Sequence, residues 1–360
     1  MKNVTLKDVA AAAGVSRASA ARVLGDYGYA SDTVRNAVLR AAEELDYAPS
    51  KLARAMRNGR TQLLGFICAD ISDGLFSQAL AGICRVAEPA GYQVVVFTSS
   101  DQLGVERDGV SALLSHGVEG LIVSPVIVEE RSHLADATVP VVYLDRAPED
   151  VSGVVSDNVG AGSLAAQLLV DAGHRRIGMT AAVQTEEPIV VTPGEVQRDG
   201  GAELSVHGAD RPSVLRVRGF VKTLQENGLQ VEEDDLLLSP HRSPDAQDRL
   251  TTWLRGHRDL TAIAAVDSYQ ARSLYRAVGE LGMHVPEDLS IVVFSDDDWV
   301  EFTRVPLTTI QLDGVEMGAR AAEKLLAALS EEKTRDAIVD VIPVIRRAGA
   351  SIAQAPATSR

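Results

Sequence analysis

The feature that most limits what this chain can fold into lies in its first sixty residues, where short apolar-faced helical segments flank a glycine. Leu6, Val9, Ala10 and Ala13 recur at helical spacing, with Thr5 as N-cap and Asp8 at the third helical position. Gly14 ends that segment, because a residue without Cβ turns the chain sharply at no steric cost. Ser16 caps a second short helix from Arg17 to about Leu24, whose apolar side is Ala20, Val23 and Leu24. Gly25, Gly28 and the Tyr27/Tyr29 pair make a loop, and a third helix starts at Ser31 or Asp32 with Val34, Val38, Ala42 and Leu45 inward. Helix, tight turn, helix and supporting helix is the helix-turn-helix plan, which lays its second helix in the major groove of duplex DNA.

Charge agrees with that plan. Residues 1–60 carry 10 Lys and Arg against 6 Asp and Glu, a net of +4, while the other 300 carry 25 against 44, a net of −19. The overall charge of −15 therefore hides one cationic region. Phosphate affinity depends on which cations reach the backbone, so an acidic total does not exclude DNA. Cys68 and Cys84 have no ligand or redox spacing and read as reduced thiols. The amino terminus lacks a signal-peptide core and no run approaches a membrane span, so a cytoplasmic protein is expected.

From Thr61 the pattern changes. Apolar β runs (Leu63–Ala69, Gln93–Thr98, Gly120–Ser124, Val139–Leu144, Val154–Ser156, Ile177–Ala181, Ala262–Val266, Ser290–Phe294) alternate with helical stretches. The helical ones are Phe76–Ala87, Val110–Ser115, Ala161–Asp171, Val214–Asn227, Tyr269–Leu281 and Gly314–Leu329. Such alternation gives an α/β fold of parallel sheet covered on both faces, and the length calls for two doubly wound subdomains. Ligands of such folds bind beyond the carboxyl ends of the strands, here between subdomains. That rule selects Asp70, Asp73, Leu75, Phe76, Ser124, Asp145, Arg146, Asp267 and Ser295 to Asp298. The expected layout is a head over 1–47, a linker over 48–60, an effector-binding and dimerising body over 61–350 and a polar tail over 351–360. A Gly-, Pro- and acid-rich insertion over 183–213 reads as a flexible flap beside the cleft mouth.

Val4-Thr5-Leu6-Lys7-Asp8-Val9-Ala10, Ala13-Gly14-Val15-Ser16, Arg22-Val23-Leu24, Thr33-Val34-Arg35 and Glu44-Leu45-Asp46-Tyr47-Ala48-Pro49-Ser50 resemble the head of LacI/GalR-type bacterial repressors. The body resembles their periplasmic-binding-protein-like effector domain through Ala69-Asp70-Ile71-Ser72-Asp73, Gly117 to Ile122, Val139-Pro140-Val141-Val142, Asp157-Asn158, Gly173 to Ile177, Val285 to Asp288 and Pro306 to Ile310. The resemblance implies that Arg17, Ala18 and Arg22 read bases, and that Thr5, Ser16, Ser19, Tyr47 and Lys51 meet phosphates. It also implies that Leu52, Ala53 and Met56 belong to a hinge helix that pairs on DNA, with Met56, where Leu is usual, as its minor-groove wedge. Asp73, Leu75, Phe76, Asp145, Arg216, Asp267 and Ser295 would contact the effector, with Phe76 or Trp299 covering an apolar ring face. The chain departs from the family at Ala21, where a hydroxyl is usual, at Val266, usually Asn, and at Ser295, usually Asp.

The implied function is a transcriptional regulator, most simply a repressor. Two copies would read a pseudo-palindromic operator, and a small effector, by family habit a sugar, would control them from the cleft. No catalytic residues, cofactor or metal are expected. Rival readings remain: a solute-binding sensor, or an enzyme with an appended DNA-binding head. Gly160-Ala161-Gly162-Ser163-Leu164-Ala165 matches a dinucleotide-binding pattern, yet no acidic residue closes a second strand about twenty residues on. His174 is expected in a surface loop, and Asp296 to Asp298 lack a calcium-loop spacing.

Overall fold

The computed structural model describes residues 4–25, 28–47, 60–183, 190–196, 202–240, 245–330 and 337–355. The head folds as α1 (Leu6–Ala12), α2 (Arg17–Leu24) and α3 (Asp32–Glu44). The starts of α1 and α2 are capped as the residue types require, whereas Ser31 at the start of α3 makes no side-chain cap hydrogen bond. Asp8 Oδ2 accepts from the Thr5 hydroxyl at 2.6 Å and from its N–H at 2.8 Å, and Ser16 Oγ accepts from the Ser19 N–H at 3.0 Å. Gly14, at φ +66°, makes the turn between α1 and α2. Val9, Ala10, Ala20, Val23, Val38, Ala41 and Ala42 close a small common core. The linker residues 48–59, with Lys51, Leu52, Ala53 and Met56, lie outside the described residues.

The body has two lobes. The first holds β1 (Leu63–Cys68), α4 (Gly74–Ala87), β2 (Gln93–Thr98), α5 (Leu103–Ser115), β3 (Gly120–Val123), α6 (Ser132–Ala135), β4 (Val141–Leu144) and β5 (Gly153–Ser156). The chain then crosses to the second lobe: α7 (Asn158–Asp171), β6 (Ile177–Val183), a hairpin of β7 (Val190–Val196) and β8 (Ala202–His207), and α8 (Pro212–Glu226). There follow β9 (Leu236–Pro240), α9 (Ala246–Gly256), β10 (Ala262–Ala265), α10 (Ser268–Glu280), β11 (Ser290–Phe294) and β12 (Thr308–Gln311). It returns for α11 (Gly314–Leu329) and β13 (Val339–Ile342) and crosses a third time to β14 (Ile345–Arg347). The sheet orders are β13-β5-β4-β3-β1-β2 and β14-β12-β11-β10-β6-β9, parallel throughout except for β14.

Burial on both sheet faces explains the near-continuous apolar runs. In β1, Leu64, Phe66 and Cys68 pack into one core with α4 and α11, while Ile67 points the other way into a core with Val110 and Leu113 of α5. Phe66 is fully buried, so truncating it to alanine would cost about 3–5 kcal/mol. In β10, Ala262 and Ala264 face one core of the second lobe and Ile263 and Ala265 the other.

Four sequence expectations change. The insertion contains a hairpin where no strands were expected: Val191 and Leu204 join the second-lobe core, and α8 straps β8 through Gln225 to the Leu204 carbonyl and Arg218 to the Val206 carbonyl. α6, β9, α9, β12, β13 and β14 were not anticipated. Ser351, assigned to the polar tail, is fully buried, donates to the Ile291 carbonyl and accepts from the Thr308 N–H. His174 is buried between Thr261 Oγ1 and the Ala353 carbonyl, not in a surface loop, and burial lowers its pKa.

Candidate functional site

On α2, Arg17, Ala18 and Arg22 form an exposed face opposite the buried Ala20 and Val23. Arg22 folds back so that Nε donates to the Ala18 carbonyl at 3.4 Å. The Ser16 and Ser19 hydroxyls lie 2.9 Å apart at its start. Bidentate guanidinium contacts suit guanine edges, and hydroxyls at a helix amino terminus suit phosphate oxygens. Thr5 contributes to its own cap through Asp8, and Tyr47 is half-buried against the head core.

The second site is the cleft between the lobes, about 910 Å³ including its open mouth. All seven residues expected to contact an effector line it: Asp73, Leu75, Phe76, Asp145, Arg216, Asp267 and Ser295. Strand and helix ends put them there. Asp73 caps α4 by accepting the Leu75 N–H at 3.0 Å, and Asp267 caps α10 by accepting the Gln270 N–H at 2.7 Å. Both carboxylates thus order a helix start and face the cleft. Asp145 follows β4 at φ +66°, a conformation that costs a non-glycine residue free energy and recurs at functional sites. Ser295 follows β11 and shares a 2.8 Å hydrogen bond with Ser268 Oγ.

Arg216, like Arg211, is a buried cation of the cleft. Its Nε donates to Asn158 Oδ1 and Nη1 to the Val266 carbonyl, both at 2.8 Å, and its guanidinium carbon lies 5.4 Å from the centre of the Phe294 ring. Burial lowers its pKa, opposed by Asp145, Asp267, Asp296 and Asp73. Burial raises the pKa of Asp145, against the pull of Arg146 and Arg216. Asp73 is pushed up to about 6 by burial, with the charges of Asp267, Asp297 and Asp145 adding to it. Asp296 also reaches about 6, chiefly through burial.

The sequence reading missed several lining groups. Asp101 stands three residues beyond β2, a position the strand-end rule would have selected, and Arg211 to Ser213 open α8. Phe294 and Phe76 supply the aromatic faces, whereas Trp299 packs on the second-lobe core and donates to Asp297 Oδ2 at 3.3 Å. Ser124 is buried outside the cleft lining. Glu106 was also missed. Fully buried, it accepts the Val126 N–H at 2.6 Å and pairs with His133 Nε2 at 2.8 Å. The Pro125 and Val126 carbonyls in turn accept from Arg146, so Glu106 positions a cleft residue indirectly.

The dinucleotide-like glycines have another use. A methyl group at Gly162 would collide with the Arg216 carbonyl oxygen, and one at Gly219 with that of Val159, so these glycines let α7 and α8 touch. Among the described residues no group of three or more His, Cys, Asp or Glu is placed to hold a metal ion. No described helix is long and apolar enough to cross a membrane.

Comparison with known proteins gives matches to three family profiles. Residues 5–50 match "Bacterial regulatory proteins, lacI family", 61–198 match "Periplasmic binding proteins and sugar binding domain of LacI family", and 166–349 match "Periplasmic binding protein-like domain". The chain is 25% identical over 350 residues to the HTH-type transcriptional repressor PurR of Pasteurella multocida (strain Pm70), covering 95% of this chain and 98% of that repressor. It is 25% identical over 353 residues to the ribose operon repressor of Escherichia coli (strain K12), covering 96% and 99%. Among solved structures it is similar to a lac repressor dimer bound to operator and the anti-inducer ONPF, with TM-score 0.78, 23% identity and coverage of 98% and 100%. A complex of the transcriptional regulator CelR with cellobiose gives TM-score 0.67 at 24% identity, covering 97% and 99%.

Proposed function

The chain belongs to the lacI family of bacterial regulatory proteins, and on that premise we propose that it is a cytoplasmic repressor whose grip on an operator is set by a small solute in the interlobe cleft. Two copies read the half-sites of a pseudo-palindrome, each placing α2 in a major groove with Arg17, Ala18 and Arg22 at the base edges. Thr5, Ser16, Ser19, Tyr47 and Lys51 meet phosphates, and Met56 enters the minor groove between paired hinge segments containing Leu52 and Ala53.

The observation that carries this reading is the convergence of Asp73, Leu75, Phe76, Asp145, Arg216, Asp267 and Ser295 on one cleft behind a head with an exposed arginine face. The three chain crossings between the lobes make that cleft a hinge. A solute bound there shifts the disposition of the lobes, and so the spacing of the linkers, only by its differential affinity for the two arrangements. Hydroxyls of a sugar satisfy the carboxylates and the guanidinium, and Phe76 and Phe294 cover a ring face. No group in the cleft is assigned a catalytic role.

The test is selection of duplexes from a random pool by the full-length protein at low ionic strength. Enrichment of a two-half-site palindrome, lost in Arg17→Ala/Arg22→Ala protein, supports the reading. Absence of any preferred duplex refutes it.

A further inference from the structure

The cleft carries more negative charge than its own cations answer. Asp70, Asp73, Asp101, Asp145, Asp267 and Asp296 line it against Arg146, Arg211 and Arg216. The carboxylates come from both lobes: Asp73 and Asp145 from the first, Asp267 and Asp296 from the second. Asp73 lies within the field of Asp145, Asp267 and Asp297, and itself acts on Asp296. Closing the lobes on a neutral solute would press these like charges together.

Arg216 and Arg146 spend donors on neutral groups. Arg216 donates to Asn158 and the Val266 carbonyl, and Arg146 donates to the Pro125 and Val126 carbonyls. Arg146 stands 3.6 Å from Asp145 and 3.7 Å from Asp101, close enough to offset charge but outside hydrogen-bond distance. Buried polar atoms without hydrogen-bond partners also lie along the cleft, among them a donor, Arg146 Nε, as well as two acceptors. The Asp145 side chain is only 5% exposed, faces the cleft, and its Oδ1 has no hydrogen-bond partner; Asp101 Oδ1 is buried and equally unpartnered. Buried acceptors in that state are costly, and a charged donor arriving with the ligand recovers most.

We propose, building on the cleft as the sensor site, that the effector is a polyhydroxylated solute bearing a protonated amine, seated against Asp145 and Asp101. Its charge lets the carboxylates of the two lobes approach, which couples binding to closure.

The experiment measures melting-temperature shifts and titration calorimetry on the full-length protein. The probes are matched hexose sets in the gluco, galacto and manno series: neutral, 2-amino-2-deoxy, N-acetylated and 6-phosphorylated. A metabolite library sorted by charge and calcium chloride alone complete the panel. The tightest ligand should be cationic and bind about tenfold or more tightly than its N-acetylated counterpart, a gap that Asp145→Asn should largely close. A neutral or anionic compound heading the ranking overturns the amine assignment while leaving the sensor reading intact. An undiminished gap in the variant overturns the seat. Stabilisation by calcium alone assigns the carboxylates to a metal and overturns the proposal. If no compound shifts melting and operator affinity ignores all of them, the sensor reading itself fails.

Discussion

Asp73→Asn should stabilise the empty protein near neutral pH while weakening its cleft. Burial, with the nearby charges of Asp267, Asp297 and Asp145, pushes Asp73 up to about 6 from an ordinary 3.8. At 1.36 kcal/mol per pH unit the ionised side chain then costs the fold at most about 3 kcal/mol, and partial solvent contact reduces this to about 1–2 kcal/mol. The sign follows from proton linkage. The folded protein holds this proton more tightly than the unfolded chain, so stability falls as pH rises from about 4 to about 6, and the cost is fully present above that. Asparagine keeps an oxygen to accept the Leu75 N–H, now 3.0 Å away, and caps helices as well as aspartate. The lost attraction to the helix dipole subtracts about 0.3–1 kcal/mol, leaving a net gain of roughly 1 kcal/mol. Thermal unfolding at about pH 7.5 should therefore show a rise of about 2–4 °C, most of which disappears by about pH 4.5. A lower melting temperature at the higher pH, or an equal gain at both, would refute the electrostatic argument.

Three further outcomes are expected. Arg22→Ala, on an exposed helix face, should leave folding unchanged and cost about 1–3 kcal/mol at a single operator position, read by competition among base variants. Gly162→Ala should destabilise by more than about 2 kcal/mol and disturb effector binding, because the new methyl meets the Arg216 backbone, whereas Gly279→Ala, with open space around it, should be neutral or gain up to about 1 kcal/mol in denaturant unfolding. Asp145→Ala should retain operator binding in electrophoretic shift assays yet no longer respond to the effector; a normal response would remove Asp145 from the site.

The parts of this fold that could be read from the chain are those where one residue type does one local job. Thr5 with Asp8, Ser16 and Gly14 specify caps and a turn within a few positions, and the head follows them. Asp73, Asp145 and Asp267 sit at strand ends, where the topology of a parallel sheet sends ligands, and they do line the cleft. Sequence reasoning failed where one pattern admits two meanings. Phe294 lies in a strand buried on both faces, so nothing in its apolar run distinguishes a core side from a cleft side. Val190 to Val196 contains the Gly and Pro that ordinarily break strands, and the alternation in Ala202 to His207 is too short to outweigh them. Glu106 lies ahead of the stretch that the apolar pattern marks as helical, Val110–Ser115, and its partner, His133, is remote in sequence. Ser351 looks like tail composition, and only tertiary contacts with Ile291 and Thr308 bury it.

Operator affinity of the full-length protein, measured by fluorescence anisotropy with the cleft empty and then saturated by its ligand, tests the central claim most directly. The account predicts a change of about 5- to 150-fold, the usual range of coupling between two sites, abolished by Asp145→Ala. Identical affinity in the two states, with occupancy of the cleft verified by calorimetry, would contradict it.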